Sequence, residues 1–128
     1  MVWMLLGPPS GNRRGSSNSP CVVSQAEPVR APARAAAVAR EAVLPGPSAV
    51  HVDVDVLDFI DAPLAENVNG RNSGPTIELL EHALVELWHH PDRRAPSIGE
   101  LNPVHAAADP DSLRRFVAAL GRALTLRD

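Results

Sequence analysis

The chain has 128 residues, 45% of them hydrophobic, and a formal charge of -3, enough for one modest domain and too short for a multidomain machine. All twelve basic residues are Arg, Tyr is absent and Phe and Trp number two each, so any core is built mainly from aliphatic side chains. Near neutrality excludes the strongly basic footprint of an electrostatically driven nucleic-acid binder. The single Cys21 excludes an intrachain disulfide and a cysteine-built zinc site, and fits a reducing cytoplasm.

Met1 to Leu6 is apolar, but it has no basic flank and breaks at Gly7, Pro8 and Pro9, too early for a signal peptide or a membrane span. The expectation is a cytoplasmic protein with no membrane partner. Residues 1–31 are rich in Pro, Gly and Ser with no hydrophobic period; they are expected to be disordered, because they cannot bury enough apolar surface to offset ordering entropy. Residues 32–128 are expected to form one α/β unit. Charge divides the chain in a similar place: residues 1–48 hold five Arg against two acids, and residues 49–128 hold seven Arg against thirteen. Function is to be sought in the acidic part.

The alanine-rich run from Ala33 to Val43 has high helix propensity, with Pro32 tolerated in the first turn and Pro45-Gly46-Pro47 as the stop. From Ala49 to Leu57 the residues alternate strictly, Val50, Val52, Val54 and Val56 on one side against His51, Asp53 and Asp55 on the other, which predicts a strand. An Asn- and Gly-rich loop follows. Thr76 then caps a helix carrying Ile77, Leu80, Leu84, Leu87 and Trp88, which Pro91 ends. Ser97 to Leu101 is a second, weaker strand because Gly99 lies inside it, and Asn102-Pro103 closes it. Asp109-Pro110 opens a last helix whose apolar stripe is Leu113, Phe116, Val117, Leu120 and Leu124. Strands alternating with helices predict a parallel sheet with crossover connections. Two strands make a poor sheet, so the region reads as part of something larger.

On a strand, Asp53 and Asp55 would hold two carboxylates roughly 6–7 Å apart on one face. Such a pair needs either solvent at a sheet edge or a cation that cancels the repulsion. His51 shares that face, as a structural histidine or as a neighbour of a cation site. Arg114-Arg115 and His89-His90 are read as solvated helix positions.

His51-Val52-Asp53-Val54-Asp55-Val56-Leu57-Asp58 resembles the Asp-x-Asp-x-x-Asp signature of the arginase and agmatinase (ureohydrolase) family, and Gly99-Glu100-Leu101-Asn102-Pro103 resembles that family's Glu-Val-Asn-Pro strand end. The resemblance covers about Ala33 to Leu124. It implies that the chain is the C-terminal βαβα portion of a three-layer, parallel-sheet ureohydrolase fold. It further implies that Asp53 and Asp55 are manganese ligands, that Glu100 pairs with the substrate's guanidinium group, and that Asp58 holds its loop. The parent activity would be Mn²⁺-dependent hydrolysis of a guanidino C–N bond by a metal-bridging hydroxide, a reaction suited to hard oxygen ligands around two ions. Family members form homo-oligomers, which makes one possible here.

The sequence departs from the family pattern in two ways. Phe59 stands where Pro is usual, and His51 replaces a small polar residue. The family's Gly-Gly-Asp-His and Asp-Ala-His-x-Asp segments, which carry its other ligands, do not occur. The resemblance therefore assigns no catalytic residue here and implies a truncated chain, inactive alone. The alternative is a non-catalytic remnant or α/β interaction module with a solvent-facing acidic strand.

Overall fold

The computed structural model describes residues 5–6, 31–41, 46–66, 74–89 and 91–125. Three strands and four helices lie within them: β1 Leu5–Leu6, α1 Pro32–Glu41, β2 Ser48–Asp53, α2 Ile77–Trp88, β3 Arg93–Gly99, α3 Pro103–Ala108 and α4 Pro110–Thr125. The sheet order is β1-β2-β3, with β1 antiparallel and β3 parallel to β2. Parallel neighbours require a crossover, which the 54–92 segment provides with α2. The fold is thus mixed α/β, as alternation of the elements predicts.

Val50, Val52 and Val54 are each at most 3% exposed, so the alternating valines do feed the core. The strand nevertheless stops at Asp53, and Val54–Val56 form a 3-10 turn. The reason lies in the partner: Asp53 pairs with Gly99, the last residue of β3, and beyond it no ladder remains to hold an extended chain. Valine spacing specified burial, and strand pairing decided where the backbone turns. β3 also differs from expectation, running Arg93–Gly99 rather than Ser97–Leu101. Its position as a single-partnered edge in the described sheet is what tolerates Pro96.

One side of the sheet, with Val50, Val52, Pro96 and Ile98, meets Leu84 and Trp88 of α2 and Leu120, Ala123 and Leu124 of α4 around a shallow apolar cleft. α2 buries Ile77, Leu80, Ala83, Leu84, Leu87 and Trp88. α1 packs on α2 through Ala35, Ala36 and Ala39, all buried; small side chains let the two helices approach closely. On α4 the most buried residues are Ser112, Phe116, Ala119 and Ala123, while Val117 stands 57% exposed. The inward face is therefore rotated from the predicted Leu/Val stripe, with Leu113, Leu120 and Leu124 at its margin.

Arg93 is fully buried. Its Nε donates to the Leu87 carbonyl at 2.9 Å and its Nη1 to Ser48 Oγ, joining the last turn of α2 to the first residue of β2. Burial, together with the charge of Arg40, lowers its pKa, and Asp92 partly offsets them. Arg122 of α4 forms a two-pronged pair with Glu81 of α2, both distances 2.7 Å. The Arg122 hydrogen bond holds the Glu81 carboxyl below its ordinary range, against a smaller opposing effect of burial.

Within residues 1–31, expected to be disordered, Leu5–Leu6 add a short strand to β2, facing Val50 and Ala49. Two leucines in succession can pair with an open sheet edge where their Gly- and Pro-rich neighbours offer little. Residues 1–4 and 7–30 lie outside the described residues. Among the described residues no helix is long and apolar enough to cross a membrane.

Candidate functional site at the carboxyl ends of β2 and β3

Parallel strands end on the same edge, where α/β sheets gather ligands. Here that edge is set by one register: His51 lies opposite Ser97 and Asp53 opposite Gly99. His51 and Asp53 share the face turned away from the valine core, with Ser97 exposed beside them. The His51 ring spans the pair: Nδ1 is 2.5 Å from Ser97 Oγ and Nε2 is 2.9 Å from Asp53 Oδ1. Gly99 leaves the necessary space. A Cβ there would run into Asp53 Oδ1 and lie 3.1 Å from both Cε1 and Nε2 of His51.

Asp53, read from sequence as a metal ligand, closes β2 at this edge, and Glu100, read as the guanidinium partner, follows β3 directly. The ladder therefore places Asp53 and Glu100 on adjacent strand ends. Asp55, the second metal-ligand candidate, sits in the 3-10 turn, so the same-face strand geometry predicted for it with Asp53 does not hold.

Glu100 has φ 59, among the described residues the one non-glycine in the left-handed region, and its side chain is exposed. The flanking backbone pins it. Its carbonyl accepts from the Glu66 amide at 2.8 Å, and the Asn102 amide donates to Leu64 O at 2.9 Å, closing the Ala65–Leu101 bridge. Asn102 works twice more. Its Nδ2 donates to Glu66 Oε2 at 2.7 Å, and its Oδ1 accepts from Val104 and His105 amides at the start of α3. The Asn-Pro pair expected to close a strand also begins a helix, with Pro103 in the first turn. His105 Nδ1 donates to Ala65 O at 2.7 Å and holds the same crossing from below.

Asp58 holds its loop, as the resemblance implied: its Oδ1 accepts from the Ile60 amide at 2.8 Å and, more weakly, from the Asp61 amide at 3.3 Å. Asp61 carries more. Its Oδ2 accepts from Ile77, the first residue of α2, at 2.7 Å, and its Oδ1 meets Arg115 Nη2 at 2.6 Å. Burial acts to raise its pKa, but the Arg115 hydrogen bond, the Ile77 amide and the Arg115 charge outweigh it, so the carboxyl titrates below the ordinary range. Arg115 is thereby engaged in a tie between α4 and the loop rather than merely solvated, while Arg114 pairs with Asp111 on the surface.

Sequence reasoning missed Ser97, Glu66 and the part played by Gly99. Gly99 was the signal available, because a glycine inside a strand marks close approach of another group. His89 Nδ1 caps its own helix at Val85 O, 2.6 Å away; His90 and the 67–73 part of the Asn/Gly loop lie outside the described residues. A separate groove of about 600 Å³ runs between α2 and α4, but its Arg114, Arg115 and Arg122 are each engaged by an acid.

Among the described residues no three His, Cys, Asp or Glu side chains converge on a point that could hold a metal ion. Comparison with family models, with curated proteins and with solved structures returned no match.

Proposed function

We propose that the carboxyl edge of β2 and β3 is the guanidinium-facing part of an arginase-like (ureohydrolase) site, and that the α/β unit is the C-terminal βαβα portion of a three-layer fold of that kind. The observation that carries this reading is the β2–β3 register, which sets the Asp53 strand end beside Gly99-Glu100. A guanidinium is planar with paired N–H donors, and a carboxylate is its natural two-point partner. In this reading Glu100 binds the guanidinium of a small guanidino substrate, and its pinned left-handed backbone sets the direction in which the side chain leaves the strand end. Asp53 and Asp55 are the manganese ligands that the motif implies.

The donor chemistry suits Mn²⁺, but the number does not: two carboxylates are too few for an ion that prefers about six oxygen ligands, and no third donor joins them among the described residues. A manganese centre at this edge takes its remaining ligands from outside the described residues, and the described part alone is inactive. That shortfall also favours a second reading, a non-catalytic α/β interaction module with an acidic strand end.

Urea release with added Mn²⁺ on arginine, agmatine and guanidino acids tests the first reading, with calorimetry of Mn²⁺ binding alongside. Any urea release is expected to depend on Asp53 and Glu100. Activity unchanged in Asp53→Ala overturns the ligand assignment, and absence of both Mn²⁺ binding and urea release favours the interaction module.

A further inference from the structure

We infer that His51 is the positioning residue of this edge: it holds the Asp53 carboxylate in one orientation and is itself held by Ser97. Both ring nitrogens are engaged, Nδ1 at 2.5 Å from Ser97 Oγ and Nε2 at 2.9 Å from Asp53 Oδ1. A carboxylate accepts and does not donate, so Nε2 carries a proton toward Asp53; in the neutral ring Nδ1 accepts from the Ser97 hydroxyl, and in the imidazolium it donates to Ser97 Oγ, so the bond to Ser97 forms in either state. The Nε2–H bond to Asp53 therefore has one direction, and engagement of both ring nitrogens fixes the ring plane.

Two independent features of the sheet support this arrangement. His51 and Ser97 are direct partners in the ladder, so the relay crosses between strands rather than along one. The ring and carboxylate also occupy the volume where a side chain at Gly99 would stand. The relay commits Asp53 Oδ1 to the protein and reserves Oδ2 for a cationic ligand. A histidine in the position where the resembling family has a small polar residue thus becomes a device for aiming a carboxylate, as the outer partners of site ligands do. Its functional consequence rests on the ureohydrolase reading, and its geometry does not.

The test compares His51→Gln with His51→Phe in the full chain. Glutamine can donate to Asp53 and accept from Ser97 through one amide; phenylalanine keeps a ring and loses both bonds. At equal melting temperature, whatever urea release the wild type shows is expected to fall about 10–100-fold in His51→Phe, while His51→Gln keeps most of it. Long-range ¹H–¹⁵N spectra give a second readout: in the wild type the His51 proton sits on Nε2 and exchanges slowly, and Asp53→Ala speeds its exchange. His51→Phe as active as a wild type that releases urea, or a wild-type Nε2 proton exchanging as fast as in free histidine, overturns the inference. Should the wild type release no urea, as the missing ligand segments imply for this chain alone, the spectra alone decide: slow exchange lost in Asp53→Ala supports the relay, and fast exchange in the wild type overturns it.

Discussion

Replacing Asp61 by Ala separates three groups that the loop after β2 holds together. The carboxylate receives the first amide of α2 at 2.7 Å and Arg115 of α4 at 2.6 Å, and the Asp61 side chain is only 21% exposed. Loss of a helix-start acceptor costs about 1 kcal/mol, with a range of roughly 0.5–2. The Arg115 pair adds about 0–1 kcal/mol, discounted because Arg115 is half exposed. The sum is about 1–2 kcal/mol, or roughly 4–16 °C in melting temperature for a domain of about this size. Asp61→Asn keeps an acceptor for Ile77 and loses the charge, so it falls between. Because the folded pKa is depressed below the ordinary 3.8, the ionic part of this stability is complete above that value and is lost as pH falls through the folded pKa. Circular-dichroism melts from neutral to acid pH should therefore show a gap between wild type and Asp61→Ala that is steady near neutrality and narrows below the ordinary Asp value. A gap under about 0.5 kcal/mol at neutrality, the scatter of ordinary surface changes, would refute the reasoning, as would one that does not narrow in acid.

Arg93→Ala strips a fully buried side chain from between Leu87 O and Ser48 Oγ and leaves both acceptors without it, and urea denaturation should register a loss of about 1–3 kcal/mol. The two glycines packed against their neighbours should behave oppositely under substitution by Ala. At Gly74 the new Cβ meets the Val56–Asp58 backbone, which cannot yield, so stability should fall by about 1–3 kcal/mol. At Gly99 it meets the Asp53 carboxylate and the His51 ring, which can rotate, so melts should change little while the slow Nε2 exchange of His51 disappears.

Local signals served the sequence reading well where they also specify burial. Thr76 caps α2 and Asp109 begins α4 as expected, through Leu79 and Ser112 amides, because a cap is decided within four residues of chain. The valines of β2 reach the core for the same reason. The reading failed where a distant partner decides. β2 ends at Asp53 because β3 ends at Gly99, forty-six residues away in sequence, and no local pattern announces that. Arg93, which no local pattern marks for the interior, is buried where Leu87 O and Ser48 Oγ converge on it. At the site, Asp53 and Glu100 were visible through their motifs; Ser97 became visible only with the register that sets it against His51.

Glu100 brings stability and function into direct opposition. A left-handed backbone costs an L-residue about 1–2 kcal/mol, and φ 59 at Glu100 incurs that cost at a strand end where glycine would sit without strain. Strain of this kind persists when surrounding bonds over-determine it, and here the Glu66–Glu100 and Asn102–Leu64 backbone bonds do so. Glycine elsewhere is about 0.5–1 kcal/mol less stable than alanine because of its unfolded-state freedom. At this position the order should invert: Glu100→Gly should melt above Glu100→Ala, since alanine keeps the strain and glycine removes it, for a net gain of about 0.5–1 kcal/mol. Both variants lose the carboxylate, so both should lose guanidinium recognition equally. Comparing the two in the same melt isolates the backbone cost from the side-chain chemistry. If Glu100→Gly melts below Glu100→Ala, the left-handed turn is not a cost borne to aim a carboxylate, and the case for Glu100 would rest on its motif alone.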